Sequence, residues 1–412
     1  MVILLIYYLI GIKGSGMSAL AKLLISEGHI VKGVDSKEHF FTEKGLNIDI
    51  ESFYNMSLKS SYYYIIGNAY KNHKITYYIL KKGYHYDYYP IFLRKHFKNS
   101  FWICVSGSHG KTLTTKLISS VIDSKYLIGD GSGGGKGKIF VMEACEYMES
   151  FLNYNPDILV ILNIDYDHSD YFKNKEEYFN AFNKLAYKSK LVIANGDDLY
   201  CQRLAKNNTI YFGINDNNDV VFTYYKGTTI IDHHAIKFPL YGIHYAYDLA
   251  ACYTVMKELG ITMARLIHNM ESFQMPKRRF EERKFNDKII IADYAHHPTE
   301  ISFLHETIIN KYPKKNNCII FEPHTYTRTI TFINDFKASL ALFDKCYLLP
   351  VFTSSRENKN IKLDEYVKSI FNYPYTNFNE IKSIIKEYDV ILFVGAGSIY
   401  NLFSQLFDEN VS

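Results

Sequence analysis

"VSGSHGKTLTT", residues 105–115, sets the reading of the whole chain. The general phosphate loop, G-x-x-x-x-G-K-[ST], would place its first glycine at 105. This chain has Val105 there and Gly107 inside the loop, which shortens the spacing to G-x-x-G-K-T. The apolar run 101–105 before it reads as a buried strand, and "KLISSVID" after it as a helix. Strand, glycine loop, Lys-Thr and helix form the order a phosphate site requires. Backbone N–H groups and the helix N-terminus attract the anion, Lys111 meets the β- and γ-phosphates, and the Thr112 hydroxyl can hold Mg²⁺.

Outward from this loop the chain alternates apolar strands with amphipathic stretches, the pattern of an α/β protein with parallel sheets. Three consecutive domains are expected, at 1–98, 99–275 and 276–412. The first opens with a strand over 3–10 and "GIKGSGMSALAKLLISEG", a glycine turn leading into a helix that ends near Gly28. "HIVKGVD" follows and ends on Asp35. The apolar N-terminus, "MVILLIYYLI", has no basic leader and is half a membrane span long, so it reads as a buried strand. The second domain continues from the loop through "KIFVMEACE" and "PDILVILNIDYDH", with the glycine-rich "GDGSGGGKGK" (129–138) between them read as a mobile or tight loop. The third holds "KIIIADYAHHP", "NNCIIFEPHTYTR", "DKCYLLPVF" and "DVILFVGAGS", four strands each ending in a polar or glycine-rich turn. Ligands in open α/β sheets sit at such carboxyl ends.

Composition narrows the class without deciding it. A chain of 412 residues exceeds one core, and 47% hydrophobic with 22% charged residues is ordinary for a globular protein. A net charge of +4 gives no argument for nucleic acid. The six cysteines lie far apart with no C-x-x-C pair, which excludes the usual zinc spacings and fits a reduced, cytoplasmic setting. Neither membrane insertion nor a nucleic-acid partner is expected.

Phosphoryl transfer needs groups that hold a metal. Glu143 and Glu146 end one strand, and Asp165, Asp167 and His168 follow another. In the first domain Gly11, Gly14 and Gly16 are spaced G-x-x-G-x-G, which differs from the dinucleotide fingerprint but also opens a helix. Asp35 lies where an acidic side chain binds a ribose hydroxyl. A diphosphate seat and a tight packing turn both fit this pattern, and it leaves an NAD-dependent oxidoreductase open. In the third domain Arg278, Arg279, His324 and Arg328 fit phosphate or carboxylate binding as well as they fit interdomain ion pairs.

Together, "GIKGSGMSALA", "GSHGKT", "EACEY", "NIDYDHSDYF", "KRRF", "DYAHHPTE", "EPHTYTRT" and "GAGSI" resemble the Mur ligases over nearly the whole chain and in order. The resemblance is strongest to the branch that joins L-alanine to UDP-N-acetylmuramate, in its Gram-positive form, and the shortened loop is this family's own version. It implies a Rossmann-like UDP-binding domain, a central ATPase domain and a Rossmann-like C-terminal domain that receives the amino acid. It also implies ATP and Mg²⁺, an acyl phosphate on the lactyl carboxylate, and a monomer or homodimer. By resemblance, Gly14, Ser15, Gly16, Met17 and Asp35 bind the UDP end. Ser108, His109, Gly110, Lys111, Thr112, Thr114, His244, Asp248, Arg279 and Asp293 bind ATP. Lys111, Glu143 and His168 are catalytic, and Thr112, Glu143 and His168 hold the metal, with Glu146 as a further ligand. Tyr294, His296, His324 and Arg328 lie near the incoming alanine.

The chain departs from the family in "GIHYAYDLAA", where Tyr245 and Asp248 replace two asparagines, and at Leu113, which replaces a second threonine. An ionised Asp only accepts hydrogen bonds, so one of the two bonds an Asn makes to adenine is expected to be lost. Three other readings remain: a Mur-type ligase for another amino acid or for murein-peptide recycling, the oxidoreductase, and an ATP-binding regulator without catalysis.

Overall fold

The computed structural model describes residues 5–36, 41–43, 45–204, 208–353 and 357–408. Among these, the strands form three sheets. The first has five parallel strands and is built on Ile6–Ile10, whose last four residues are buried. The outer residues of the expected first strand, 3 and 4, lie outside the described residues. Gly11 follows with φ +83°, and a Cβ there would stand 2.4 Å from the Tyr70 ring, so only glycine fits this turn. The helix Ser15–Ser26 then starts directly from the glycine loop and buries Leu20, Leu23 and Leu24.

Ten strands make the central sheet. The phosphate-loop strand Phe101–Ser106 lies in its interior, paired in parallel with Ile158–Ile161 on one side and Ile139–Glu143 on the other. These runs are apolar on both faces because helices cover both, as parallel sheets require. The sheet continues beyond the expected strands: Val220–Tyr225, Thr228–Ile231 and His234–Lys237 extend one edge as an antiparallel meander. The third sheet has five strands, all parallel except the edge strand Glu281–Phe285, and includes the four apolar runs read from the sequence.

The glycine-rich stretch 129–138 is tight, and its centre is a strand. Gly133–Gly135 pairs antiparallel with Ser124–Leu127 and presses against the helix Ser15–Ser26 of the first sheet. A Cβ on Gly133 would lie 1.9 Å from the Ala19 carbonyl oxygen, so the backbones meet where no side chain fits. Lys22 Nζ donates to the Gly131 carbonyl at 2.9 Å, and Lys125 Nζ reaches Glu27 at 2.6 Å. One apolar cluster runs through this seam, joining Leu20 and Phe92 to Trp102 and Phe140. Another joins the central sheet to the third.

Candidate active site

Every feature of the shortened loop has a geometric reason. Gly107 has φ +138°, and a Cβ there would stand 3.1 Å from the Leu162 Cβ; Gly110 has φ +85° and is the N-cap of the helix Lys111–Val121. Asn163 pins the loop from the next strand, its side chain accepting from His109 N at 2.9 Å and donating to the His109 carbonyl at 3.2 Å. Lys111 folds back over the loop, donating to the Ser108 carbonyl at 3.1 Å and to both Glu146 oxygens at 3.1 and 3.2 Å. Burial works against its charge, but Glu146, Cys145 and Glu143 together raise its pKa above the ordinary lysine value. It is a fixed cation.

The two glutamates of "EACEY" sit in two adjacent groups. Glu146 is buried with its Oε1 3.2 Å from His168 Nε2; burial opposes its ionisation, yet Lys111 and His168 hold its pKa at about 2. Glu143 lies instead over Gly129, whose N–H it accepts, and beside Thr112; burial raises its pKa. The structure thus brings together Glu146, His168 and Lys111 in one group, and Glu143 and Thr112 in another next to it. Oxygen donors with one imidazole suit a hard divalent cation such as Mg²⁺.

A cavity of about 540 Å³ connects these groups with both other domains. At one end it is lined by Lys13, Gly14, Ser15 and Gly16, at the other by Arg279, Tyr294, His296, His324 and Arg328. Two residues expected at the UDP end do not line it. Met17 is buried beneath Gly67. Asp35 is also buried, accepting from Lys13 N at 2.7 Å, Ser36 N at 2.8 Å and the Tyr70 hydroxyl at 2.6 Å. It therefore shapes the glycine loop from behind. Asp293 has a similar duty, taking the N–H groups of Phe280 and Ala295, each at 2.8 Å, while facing a second cavity.

The acidic residues after the strand 158–161 face the third sheet. Asp167 binds Arg328, and Asp165 approaches His109 at 3.1 Å and accepts from Thr299 at 2.8 Å. Arg328 in turn lies 3.0 Å from His324 Nδ1.

This arrangement has clear relatives. Residues 6–100 match the pattern of the Mur ligase family catalytic domain, and residues 132–256 that of the Mur ligase middle domain. The UDP-N-acetylmuramate–L-alanine ligase of Streptococcus agalactiae serotype III is 36% identical over 98% of this chain and 97% of its own length. That of Streptococcus thermophilus is also 36% identical, over 98% of this chain and 96% of its own. The chain belongs to the Mur ligase family.

Solved Mur ligase structures share the fold. The UDP-N-acetylmuramate–alanine ligase of Thermotoga maritima superposes with a TM-score of 0.80 at 22% identity, covering 98% of both chains. A murein peptide ligase from Psychrobacter arcticus follows at 0.73 and 18%, again over 98% of both.

Against this Mur ligase background the departures at 245 and 248 take on physical meaning. A second cavity, about 560 Å³, also adjoins the loop, and neither Glu143 nor Glu146 lines it; His109, Gly110, His244, Asp248, Arg279 and Asp293 are among its walls. Tyr245 stacks on Phe238 at 4.9 Å and contributes apolar surface. Asp248 packs under Gly110 and accepts from the Thr114 hydroxyl at 3.0 Å. Burial raises its pKa to about 7, against the opposing pull of Thr114 and Arg279. Burial thus favours the protonated carboxyl over the accept-only carboxylate, and a protonated carboxyl donates as well as accepts. His244 is held neutral, its pKa pushed down to about 3 by burial and by Arg279.

One central residue went unnoticed in the sequence. Glu300, partly buried in the first turn of Pro298–Lys311, meets His109, Arg279 and His296 at 3.5, 3.4 and 3.3 Å. The final glutamate of "DYAHHPTE" was its signal, spaced four residues from His296.

Proposed function

We propose that this chain is an ATP-dependent ligase that joins L-alanine to the lactyl carboxylate of UDP-N-acetylmuramate, a step that builds the precursor of a cell wall. The observation that carries the reading is the continuous cavity from Lys13–Gly16 past Lys111 to Arg328, in a chain that matches the alanine ligases of streptococci end to end. Domains at 1–98, 99–275 and 276–412 would then hold the UDP end, ATP and the amino acid, a division supported by the three sheets.

The chemistry follows from the charges. A carboxylate attacking a γ-phosphate brings two anions together, and Lys111 and Arg279 supply fixed positive charge where that repulsion is greatest. Thr112, Glu143, Glu146 and His168 would hold Mg²⁺, which when bound screens the same phosphates. Glu146 is ionised and would accept metal without first losing a proton. Attack gives an acyl phosphate and ADP. The alanine amine, oriented from the side of Tyr294, His296, His324 and Arg328, then displaces phosphate and forms the amide. The His296 pKa is lowered by burial and by Arg328, which keeps an unprotonated imidazole available near the amine. The nucleoside would lie in the second cavity, beside Asp248 and His244.

Among the described residues no helix is long and apolar enough to cross a membrane, which accords with a cytoplasmic enzyme. The deciding experiment is phosphate release by the purified protein with ATP and Mg²⁺. It should require UDP-N-acetylmuramate and L-alanine together. Release that ignores either substrate, or that prefers another amino acid or a peptide across a panel, defeats the assignment.

A further inference from the structure

Glu300 uses its two oxygens for different purposes. Oε2 accepts from His296 N at 3.0 Å, which secures the start of its own helix, where a carboxylate also meets the favourable end of the helix dipole. Oε1 faces outward, 3.5 Å from His109 Nδ1 and 3.4 Å from Arg279 Nη1. His109 belongs to the phosphate loop; Arg279 and His296 belong to the opposite wall of the cleft. The neighbouring Thr299 donates to Asp165, whose carboxylate stands on the other side of the same imidazole. His109 is thus held between one carboxylate of its own domain and one of the next, with the His297 ring 4.8 Å away as its third titratable neighbour. A residue that only capped a helix would need Oε2 alone.

We infer that Glu300 is a positioning residue that registers the phosphate loop, through His109, against Arg279 and His296, so that the cradle and the side chains facing it take up one geometry. This rests on the ligase reading for its consequence in turnover. The electrostatics agree. Burial favours the neutral acid, but His296, His109 and Arg279 keep Glu300 well below the ordinary carboxylate range. Burial likewise disfavours a charged His109, yet Asp165 and Glu300 raise its pKa to about 9.

The test uses the full-length protein and the variant Glu300→Gln, which keeps an oxygen for His296 N and removes the charge. NMR titration of the His109 ring, which needs no turnover, should show a midpoint about one pH unit or more below wild type once one of two carboxylates is gone. In the phosphate-release assay kcat should fall about tenfold or more, with KM for UDP-N-acetylmuramate within about twofold, because that substrate end is built on another domain. The activity profile should also gain a decline above neutral pH as His109 loses its proton. Glu300→Asp, which restores the charge one methylene short, should recover part of both effects, and thermal unfolding of each variant checks the fold. An unchanged His109 midpoint, or a shifted midpoint with unchanged kcat, overturns the positioning role. A shifted midpoint in a protein whose wild type releases no substrate-dependent phosphate overturns the ligase reading and leaves the coupling standing.

Discussion

Arg328 grips Asp167 through two hydrogen bonds, Nε to Oδ1 at 2.8 Å and Nη2 to Oδ2 at 3.1 Å, and both side chains are almost fully buried. The pair joins the third sheet to the loop after a central strand. Burial opposes the Asp167 charge, but His168 and Arg328 hold it well below the ordinary carboxylate range. Removing one member strands the other charge in the interior, at a cost of about 3–5 kcal/mol. Arg328→Met alone should therefore lower the urea midpoint sharply. Arg328→Met with Asp167→Leu should recover much of that loss while activity stays low. Equal stability of the single and double variants would contradict the pairing.

Lys111 is the cation closest to the proposed phosphoryl transfer, and its removal should be felt in turnover. Lys111→Ala is expected to lower kcat about 10²–10³-fold or more, as loss of a preorganised charge does. It takes one partner from Glu146 and leaves His168 as another, so a modest loss of stability accompanies it. Near-normal phosphate release by this variant would place the ATP site elsewhere.

Asp248 makes stability depend on pH. Its folded pKa, about 7, lies well above the ordinary aspartate value. A raised acid pKa means that the folded state binds the proton more tightly. The contribution is complete below about pH 4 and is lost as pH rises through 7, to an upper figure of ~4 kcal/mol. Asp248→Asn keeps the shape and cannot ionise. The variant should unfold at a higher temperature than wild type above pH 7, and the difference should shrink toward pH 5. A pH-independent difference between the two would show that Asp248 does not titrate in this range.

Gly133 is a packing residue. Gly133→Ala would drive a Cβ against the Ala19 carbonyl, so the helix and the hairpin must separate. Overpacking of this kind costs about 1–3 kcal/mol. Differential scanning calorimetry should show a lowered midpoint, and KM for UDP-N-acetylmuramate should rise with it. Wild-type stability in this variant would mean that the seam yields freely.

What the sequence disclosed was what neighbours in the chain control. Continuous apolar runs marked the buried parallel strands, and G-x-x-G-K-T placed the phosphate loop between a strand and a helix. The antiparallel meander 220–237 is hard to read because its strands are only four to six residues long, too short for their alternation of buried and exposed residues to stand out. The stretch around Gly133 reads as tight or mobile because the reason for Gly133 is another domain's backbone, the Ala19 carbonyl. The place of Asp35 at a strand end is that of a ribose-binding acid; the hydrogen bonds it accepts from the Lys13 and Ser36 amides and the Tyr70 hydroxyl arise only in the fold. The Asp248 proton and the Glu300 bridge both arise from burial among distant residues, and spacing along a chain carries no trace of that.

The seam at Gly133 acts as a ruler. Because the helix after the glycine loop Gly11–Gly16 rests directly on a hairpin of the central sheet, the two glycine loops stand at a separation set by backbone touching backbone. A sugar nucleotide that reaches from one loop to the other is measured against that span before any group in the cleft contacts it. Under the proposed function, the reach of the substrate is thus bounded at Gly133, which does not line the cleft.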